Sequence, residues 1–323
     1  MMRAVKCLGT GGVEVMKISQ IPIPTPGPNE VLIKVHATAL NRADLLQRRG
    51  LYPPPPGYTD ILGLECSGEI SGGHEKWPLG TRVMGFLRGG GYAEYVTVHK
   101  DQVLPIPSKL SYTQAAGLCE VFLTAYKCLF YLGKGKEQEK VLVHAGASGV
   151  GLALIQLAKW KNLQVFTTCG SSDKEKACKD LGADFVWNYK SGSFLPAIKN
   201  FGGADLIMDS VGASYVSDNI SCLNKNSRWI IYGFLSGSKV KDIDFAKIFA
   251  KLSTLHFTSF RARSDEFRND VISKFIADGV LEEFENGRMK SIIYKELGIE
   301  DVQSGHLIME KNENIGKIVL RII

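Results

Sequence analysis

Between residues 140 and 260, apolar runs of strand length alternate with longer runs of helical character, and nothing else in the chain constrains the fold as much. Strands are expected at 140–144, 164–169, 183–187, 204–209, 228–233 and 254–260. Helices are expected between them at 149–161, 173–181, 213–223 and 242–252. Parallel strands joined by helices cross over with one hand and cover both faces of the sheet. The order therefore predicts an α/β fold with a doubly wound parallel sheet.

The first strand of the series breaks into "VLVHAGASGVG" (141–151), with glycines at 146, 149 and 151. The spacing is G-x-x-G-x-G rather than the usual G-x-G-x-x-G, and a glycine turn between strand and helix is common for structural reasons alone. Position decides, because this loop follows a strand and opens a helix at the start of a βαβ series. Gly146 is expected to permit the tight turn, Gly149 to let backbone approach a pyrophosphate, and Gly151 to let the helix pack on the sheet. The helix start offers free N–H groups and a positive dipole end to phosphate.

Which dinucleotide is read one strand later. An NAD site usually carries an acid about 20 residues on, bonding the ribose 2′-hydroxyl. Here Cys169-Gly170-Ser171 stands at that place, and Ser171 and Lys174 offer a hydroxyl and a cation suited to a 2′-phosphate. Tyr189, after the third strand, is placed to join them. NADPH is the expected cofactor; Asp173 keeps NAD open, and Asp173 with Lys174 also fits a solvated first helical turn.

Ahead of the sheet, residues 1–105 read as strands and turns, with "PIPTPGPNE" (22–30) a proline-stiffened connector. A helical stretch at 112–132, capped by Ser111, leads into the alternating region. The tail predicts helices at 264–278 and 299–310 and a closing strand at 317–322. That tail is expected to pack on the front region and make it discontinuous. A chain of 323 residues has room for two such domains.

Charge and cysteine usage exclude some classes of function. The net charge of +6 is spread along the chain, with no basic run interleaved with aromatics, so a nucleic-acid role is not expected. Seven scattered cysteines without a C-x-x-C pair suit a reducing compartment. No run reaches the roughly 18 apolar residues of a membrane span, and the N-terminal stretch has no signal-like segment, so a cytoplasmic protein is expected. Zinc needs three or four grouped ligands, whereas His36, His74, His99, His144, His256 and His306 are isolated, so no metal is expected. Nor does a nucleophile stand beside a base. Hydride transfer remains, in which the cofactor supplies the reactivity and the protein supplies position.

"NRADLLQRRGLYPPPPG" (41–57), "DILGLECSG" (60–68), "AAGLCEVFLTAY" (115–126), "VLVHAGASGVG", "RWIIYG" (228–233) and "NENIGKIVL" (312–320) together resemble a known family over essentially the whole chain. It is the zinc-free, zeta-crystallin-like quinone oxidoreductase branch of the medium-chain dehydrogenase/reductase superfamily. The resemblance implies a GroES-like catalytic domain (1–120 plus 262–323), an inserted Rossmann domain (121–261), NADPH in the cleft between them, and a homodimer joined through the edge strand at 254–260. Zinc-dependent relatives carry Gly-His-Glu where this chain has Gly63-Leu64-Glu65. Carried over by position, Asn41 and Tyr52 line the cleft near the nicotinamide, which Thr124 also contacts. Ser148, Gly149 and Val150 bind pyrophosphate, while Gly170, Ser171, Lys174 and Tyr189 surround the 2′-phosphate. Val211, Gly233, Phe234, Phe260, Arg261 and Asn314 are further cofactor contacts. Cys119 departs from the proline many relatives have before the glutamate.

The expected reaction is reduction of a small-molecule quinone by NADPH, with Tyr52 as a hydrogen-bond donor to the developing oxyanion and Asn41 nearby. Each residue also has a structural reading. Tyr52 suits an anchor for the proline segment, Asn41 a turn, and Phe234 and Phe260 core positions; Ser148 is expected to act through its backbone N–H. Reduction of enones or enoyl thioesters on the same scaffold, and a non-enzymatic NADPH-binding structural role, remain open beside quinone reduction.

Overall fold

The chain opens with an antiparallel pair, β1 (Met2–Cys7) and β2 (Met16–Ile21). After the proline connector, β3 (Glu30–Ala39) enters a seven-stranded sheet with Val31, Ile33, Val35 and Ala37 fully buried, the period-2 face of a half-buried strand. β3 runs into a helix, α1 (Arg42–Arg48), within the stretch expected to hold only strands and turns. Seven residues are too few for a helical repeat to show. What starts this helix is Asn41-x-x-Asp44, where the Asn41 N–H donates to Asp44 Oδ2 at 2.8 Å. β4 (Glu65–Gly73), β5 (Arg82–Phe86), β6 (Tyr95–His99) and β7 (Val103–Pro105) follow.

The helical stretch expected at 112–132 is three pieces: α2 (Tyr112–Ala116), α3 (Cys119–Tyr126) and a π-helical segment, Lys127–Leu132. Then the alternation begins with β8 (Lys140–Val143), α4 (Gly149–Trp160), β9 (Gln164–Cys169), α5 (Ser172–Asp180) and β10 (Phe185–Asn188). β10 starts two residues later than expected because Gly182, with φ +95°, turns the chain first. An unexpected helix, α6 (Leu195–Phe201), precedes β11 (Ala204–Asp209), α7 (Val216–Cys222), β12 (Leu223–Ile231), α8 (Phe245–Ala250) and β13 (Thr254–Phe257). These six strands form one parallel sheet in the order β10-β9-β8-β11-β12-β13. The order reverses between β8 and β11, the switch point at which a doubly wound sheet opens its ligand crevice.

The tail adds α9 (Asp265–Ala277), α10 (Val280–Glu285), β14 (Ile293–Gly298), α11 (Val302–Glu310) and β15 (Lys317–Arg321). β15 lies between β14 and β3 in the seven-stranded sheet. This computed structural model describes residues 1–323, which divide into two units, Met1–Val121 with Arg261–Ile323, and Phe122–Phe260. All seven cysteines are free and six are buried. No helix is long and apolar enough to cross a membrane.

Candidate functional site

In the unit of residues 122–260, most of the expected cofactor residues fall just past the carboxyl ends of the parallel strands. Ser148, Gly149 and Val150 follow β8; Gly170, Ser171 and Lys174 follow β9; Tyr189 follows β10. Val211 follows β11, Gly233 and Phe234 follow β12, and Phe260 follows β13. Ligands of open α/β sheets bind at this edge. Thr124 lies on α3 and is buried.

The glycine loop works by close approach. Gly146 does not have a positive φ; the left-handed residue is Ala145, at φ 52°. A Cβ on Gly146 would lie 1.9 Å from Thr167 Oγ1, so β9 is what forbids a side chain there. A Cβ on Gly151 would lie 2.4 Å from Ala145 O, which presses the start of α4 onto the loop itself. Ser148 caps α4, its Oγ accepting from the Gly151 N–H at 3.0 Å. Its own N–H, expected to face phosphate, donates to Ala145 O at 2.9 Å. The helix-start donors without an intrahelical acceptor are therefore the N–H groups of Gly149 and Val150.

Past β9, Ser171 caps α5 by accepting from the Lys174 N–H at 3.4 Å, which leaves its O–H to donate. The hydroxyl end of Tyr189 lies against the turn after β9, so close that a Cβ on Gly170 would collide with it. Asp173 is exposed in the first turn of α5. The loops after β11 and β12 are joined, with Leu235 N donating to Ser210 O at 3.0 Å and Ser236 N to Val211 O at 2.8 Å. Phe234 is half exposed, whereas Phe260 is buried with the Lys127 ammonium 4.6 Å from its ring centroid.

In the other unit, Arg261 lies with its guanidinium 5.5 Å from the Tyr52 ring centroid, and its Nε donates to Arg88 O at 2.7 Å. Both of its terminal nitrogens are buried without a hydrogen-bond partner. Burial lowers its pKa, and Asp44, Tyr52 and Glu120 act the other way. Unsatisfied buried donors on a cation are rare and costly, and they point to a ligand oxygen.

Asn41 has less to offer than expected. Its Nδ2 donates to Ala39 O at 3.2 Å and Glu65 Oε1 at 3.0 Å, while Oδ1 accepts from Lys317 Nζ at 2.7 Å. Lys317 also reaches Glu65 Oε1 at 2.8 Å and Leu40 O at 2.7 Å, and Glu65 Oε2 accepts from the Glu120 N–H at 2.8 Å. Asn41 therefore has no N–H left for a substrate and serves to position this end of β3. Asn314 is half-buried, its Nδ2 donating to Gly316 O at 2.7 Å in a local turn.

A second buried chain begins at Asp44, which accepts from the Gly63 N–H at 3.0 Å and the Tyr92 hydroxyl at 3.1 Å. Tyr92 meets His306 Nε2 at 3.2 Å, and Arg48 meets His306 Nδ1 at 3.1 Å before pairing with Glu310. Neither chain was visible in the sequence. Their members are far apart there: Asn41 is marked by the family resemblance, Gly63, Glu65 and His306 enter only in weighing a metal, and the others carry no signal.

The donor set does not suit a metal. No three His, Cys, Asp or Glu side chains are grouped to hold one. Leu64 is buried beside Glu65, whose oxygens are all engaged, and burial pushes the Cys66 thiol up to about 12.

Two families match this chain, the Alcohol dehydrogenase GroES-like domain over residues 27–108 and Zinc-binding dehydrogenase over residues 149–277. A quinone oxidoreductase of Homo sapiens is 31% identical over 334 residues, covering 99% of this chain and 98% of its own. Among solved structures, a mycobacterial protein complexed with NADPH superposes with a TM-score of 0.88 at 27% identity, covering 100% of both chains. An NAD-dependent alcohol dehydrogenase superposes with a TM-score of 0.87 at 28% identity, again covering 100% of both. The two-part architecture, the strand-end loops and these full-length likenesses agree, and the chain belongs to the medium-chain dehydrogenase/reductase superfamily.

Proposed function

We propose that this protein is a metal-free, NADPH-dependent quinone oxidoreductase of the zeta-crystallin-like branch. The observation that carries the reading is the pair of unpartnered Arg261 nitrogens beside the Tyr52 ring. Such donors suit an acceptor oxygen that becomes negative as it is reduced.

NADPH, when bound, supplies the hydride. The N–H groups of Gly149 and Val150 hold its pyrophosphate, and Gly170, Ser171, Lys174 and Tyr189 hold the 2′-phosphate. No carboxylate closes that position after β9 to favour a free 2′-hydroxyl. Thr124, Val211, Gly233, Phe234 and Phe260 contact the rest of the cofactor. Arg261 and Tyr52 donate to the quinone oxygen and so favour the charge that develops there. Asn41, Glu65 and Lys317 keep the adjoining backbone in place. With Leu64 where zinc-dependent relatives have a histidine, no step needs a metal.

A second copy of the chain is proposed to cover the open edge at β13. Phe257 on β13 is 64% exposed, Phe249 on the preceding α8 and Leu252 in the turn between them are exposed too, and a bare edge strand invites pairing.

The deciding experiment is NADPH oxidation by the purified protein against a panel of quinones and 2-alkenals. Quinone turnover that falls at least tenfold in Arg261→Gln supports the reading. Turnover of alkenals alone moves the protein to enone reduction on the same scaffold. No turnover of any acceptor, with NADPH still bound, leaves the binding role only.

A further inference from the structure

His144 follows directly on β8 and is fully buried, as are Asn219 on α7 and Asp209 at the end of β11. Its Nε2 lies 2.8 Å from Asn219 Oδ1, and its Nδ1 lies 3.1 Å from Thr168 Oγ1. Asn219 Nδ2 donates to Asp209 Oδ2 at 3.2 Å, and an ionised carboxylate only accepts. That fixes which end of the Asn219 amide faces the imidazole. Nε2 must therefore carry the proton and Nδ1 must accept from the Thr168 hydroxyl.

Each end of this chain stops at a loop named above for the cofactor. Thr168 Oγ1 accepts from the Ala145 N–H at 3.4 Å, and Thr168 O accepts from the Gly146 N–H at 2.9 Å. Ala145 is the left-handed residue of the glycine loop, a conformation that persists only where its surroundings fix it. At the far end, Asp209 Oδ1 accepts from the N–H groups of Val211 and Gly212 at 2.7 and 2.9 Å, and Oδ2 accepts from Trp229 Nε1 at 3.1 Å. Tyr215 lies tilted over the imidazole at 4.6 Å, with Phe194 at 5.1 Å on its edge, so the ring cannot turn to another partner.

We propose that His144 is a positioning residue for the dinucleotide: held as the neutral Nε2–H tautomer between Thr168 and Asn219, it ties the glycine loop after β8 to the loop after β11 and so presets the pyrophosphate cradle. This rests on the NADPH reading above. It extends that reading, because the residue touches no ligand and acts only through Ala145, Gly146 and the Asp209 loop. Apolar packing alone would have been served by leucine or phenylalanine at this site. The chain instead buries four polar side chains, each satisfied by the next, the arrangement that specifies one geometry rather than adding stability.

Three variants test it by equilibrium binding of NADPH, with 2′-phosphoadenosine as a probe lacking the pyrophosphate. Thr168→Val keeps the side-chain shape and cuts the link to Ala145. His144→Leu cuts both links, and His144→Gln can still donate at one end and accept at the other. The expected result is NADPH binding at least tenfold weaker in Thr168→Val and His144→Leu, within about threefold of wild type in His144→Gln, and unchanged affinity for 2′-phosphoadenosine throughout. Thr168→Val and His144→Gln serve if His144→Leu does not fold. Equal weakening of both nucleotides shows general loosening and overturns the proposal, as does unchanged NADPH binding in Thr168→Val. If wild type itself binds no NADPH, the cofactor reading fails first and takes this inference with it.

Discussion

Lys317 is buried with its ammonium on Glu65, Asn41 and Leu40, an arrangement that the sequence disguises as an ordinary "GKIVL" strand start. Removing one partner of such a pair leaves an uncompensated buried charge, at about 3–5 kcal/mol. Lys317→Met should therefore lower the urea midpoint sharply, and adding Glu65→Gln should recover part of the loss. A double variant as unstable as the single would show that charge is not the cause. Two other buried groups work against each other. Burial, helped by Arg48, lowers His306 to about 3, below the ordinary histidine value, so its contribution to stability is complete above about 6.5 and is lost as pH falls toward 3. Burial raises Asp44 to about 6, so its contribution is complete below about 3.9 and is lost as pH rises through 6. Between pH 4 and 6 the two slopes oppose. Asp44→Asn removes one of them, and its stability should fall more steeply on acidification than that of wild type; parallel slopes in chemical denaturation would contradict this. On the surface, Lys174→Ala should raise the Kd for NADPH at least tenfold and that for NADH little, and equal losses would return the site to NAD.

Elements differ in how plainly the sequence announces them. α4 was legible almost to the residue because Ser148 caps it and Gly151 to Ala158 are continuously buried, so local signal and tertiary packing agree. β11 was placed correctly for the same reason. α1 escaped because its start is set by Asp44, which also holds the Gly63 N–H nineteen positions away. β14 escaped because Tyr294, Lys295 and Glu296 are exposed and show no alternation; it is a strand only because β15 lies beside it. The candidate site divides in the same way. The loops after β8, β9 and β10 could be read from pattern and those after β11 to β13 only from the family resemblance, whereas the Arg261–Tyr52 contact and the Asn41–Lys317 bond join residues 209 and 276 positions apart, and no local rule pairs them. The glycine loop gives the sharpest element-level prediction. Gly146→Ala puts a methyl into Thr167, whose hydroxyl donates to Val143 O at 2.7 Å, so β8 and β9 must part. Overpacking of this kind costs about 1–3 kcal/mol, and NADPH binding should fall with it. An unchanged melting temperature would mean the loop yields freely. At the sheet edge, Phe257→Lys should shift sedimentation from dimer to monomer if β13 joins two copies, and no shift would place the interface elsewhere.

For the whole molecule, the order in which segments pair differs from the order in which they are made. β15 is the last strand of the chain, yet it lies inside a seven-stranded sheet, antiparallel to β3 and parallel to β14. On the ribosome, residues 122–260 can complete their own parallel sheet while the earlier part of the chain still waits for its final strand. Until residue 321 has emerged, Ala37, Thr38 and Ala39 of β3 lack the partner that β15 supplies, while Glu30–Lys34 already pair with β6. The seven-stranded sheet is therefore completed from the chain's two ends, by a segment made about 280 residues after the strand it pairs with. A chain cut before Lys317 should aggregate although residues 122–260 keep their own sheet, and limited proteolysis of it should recover a resistant fragment near residues 122–260.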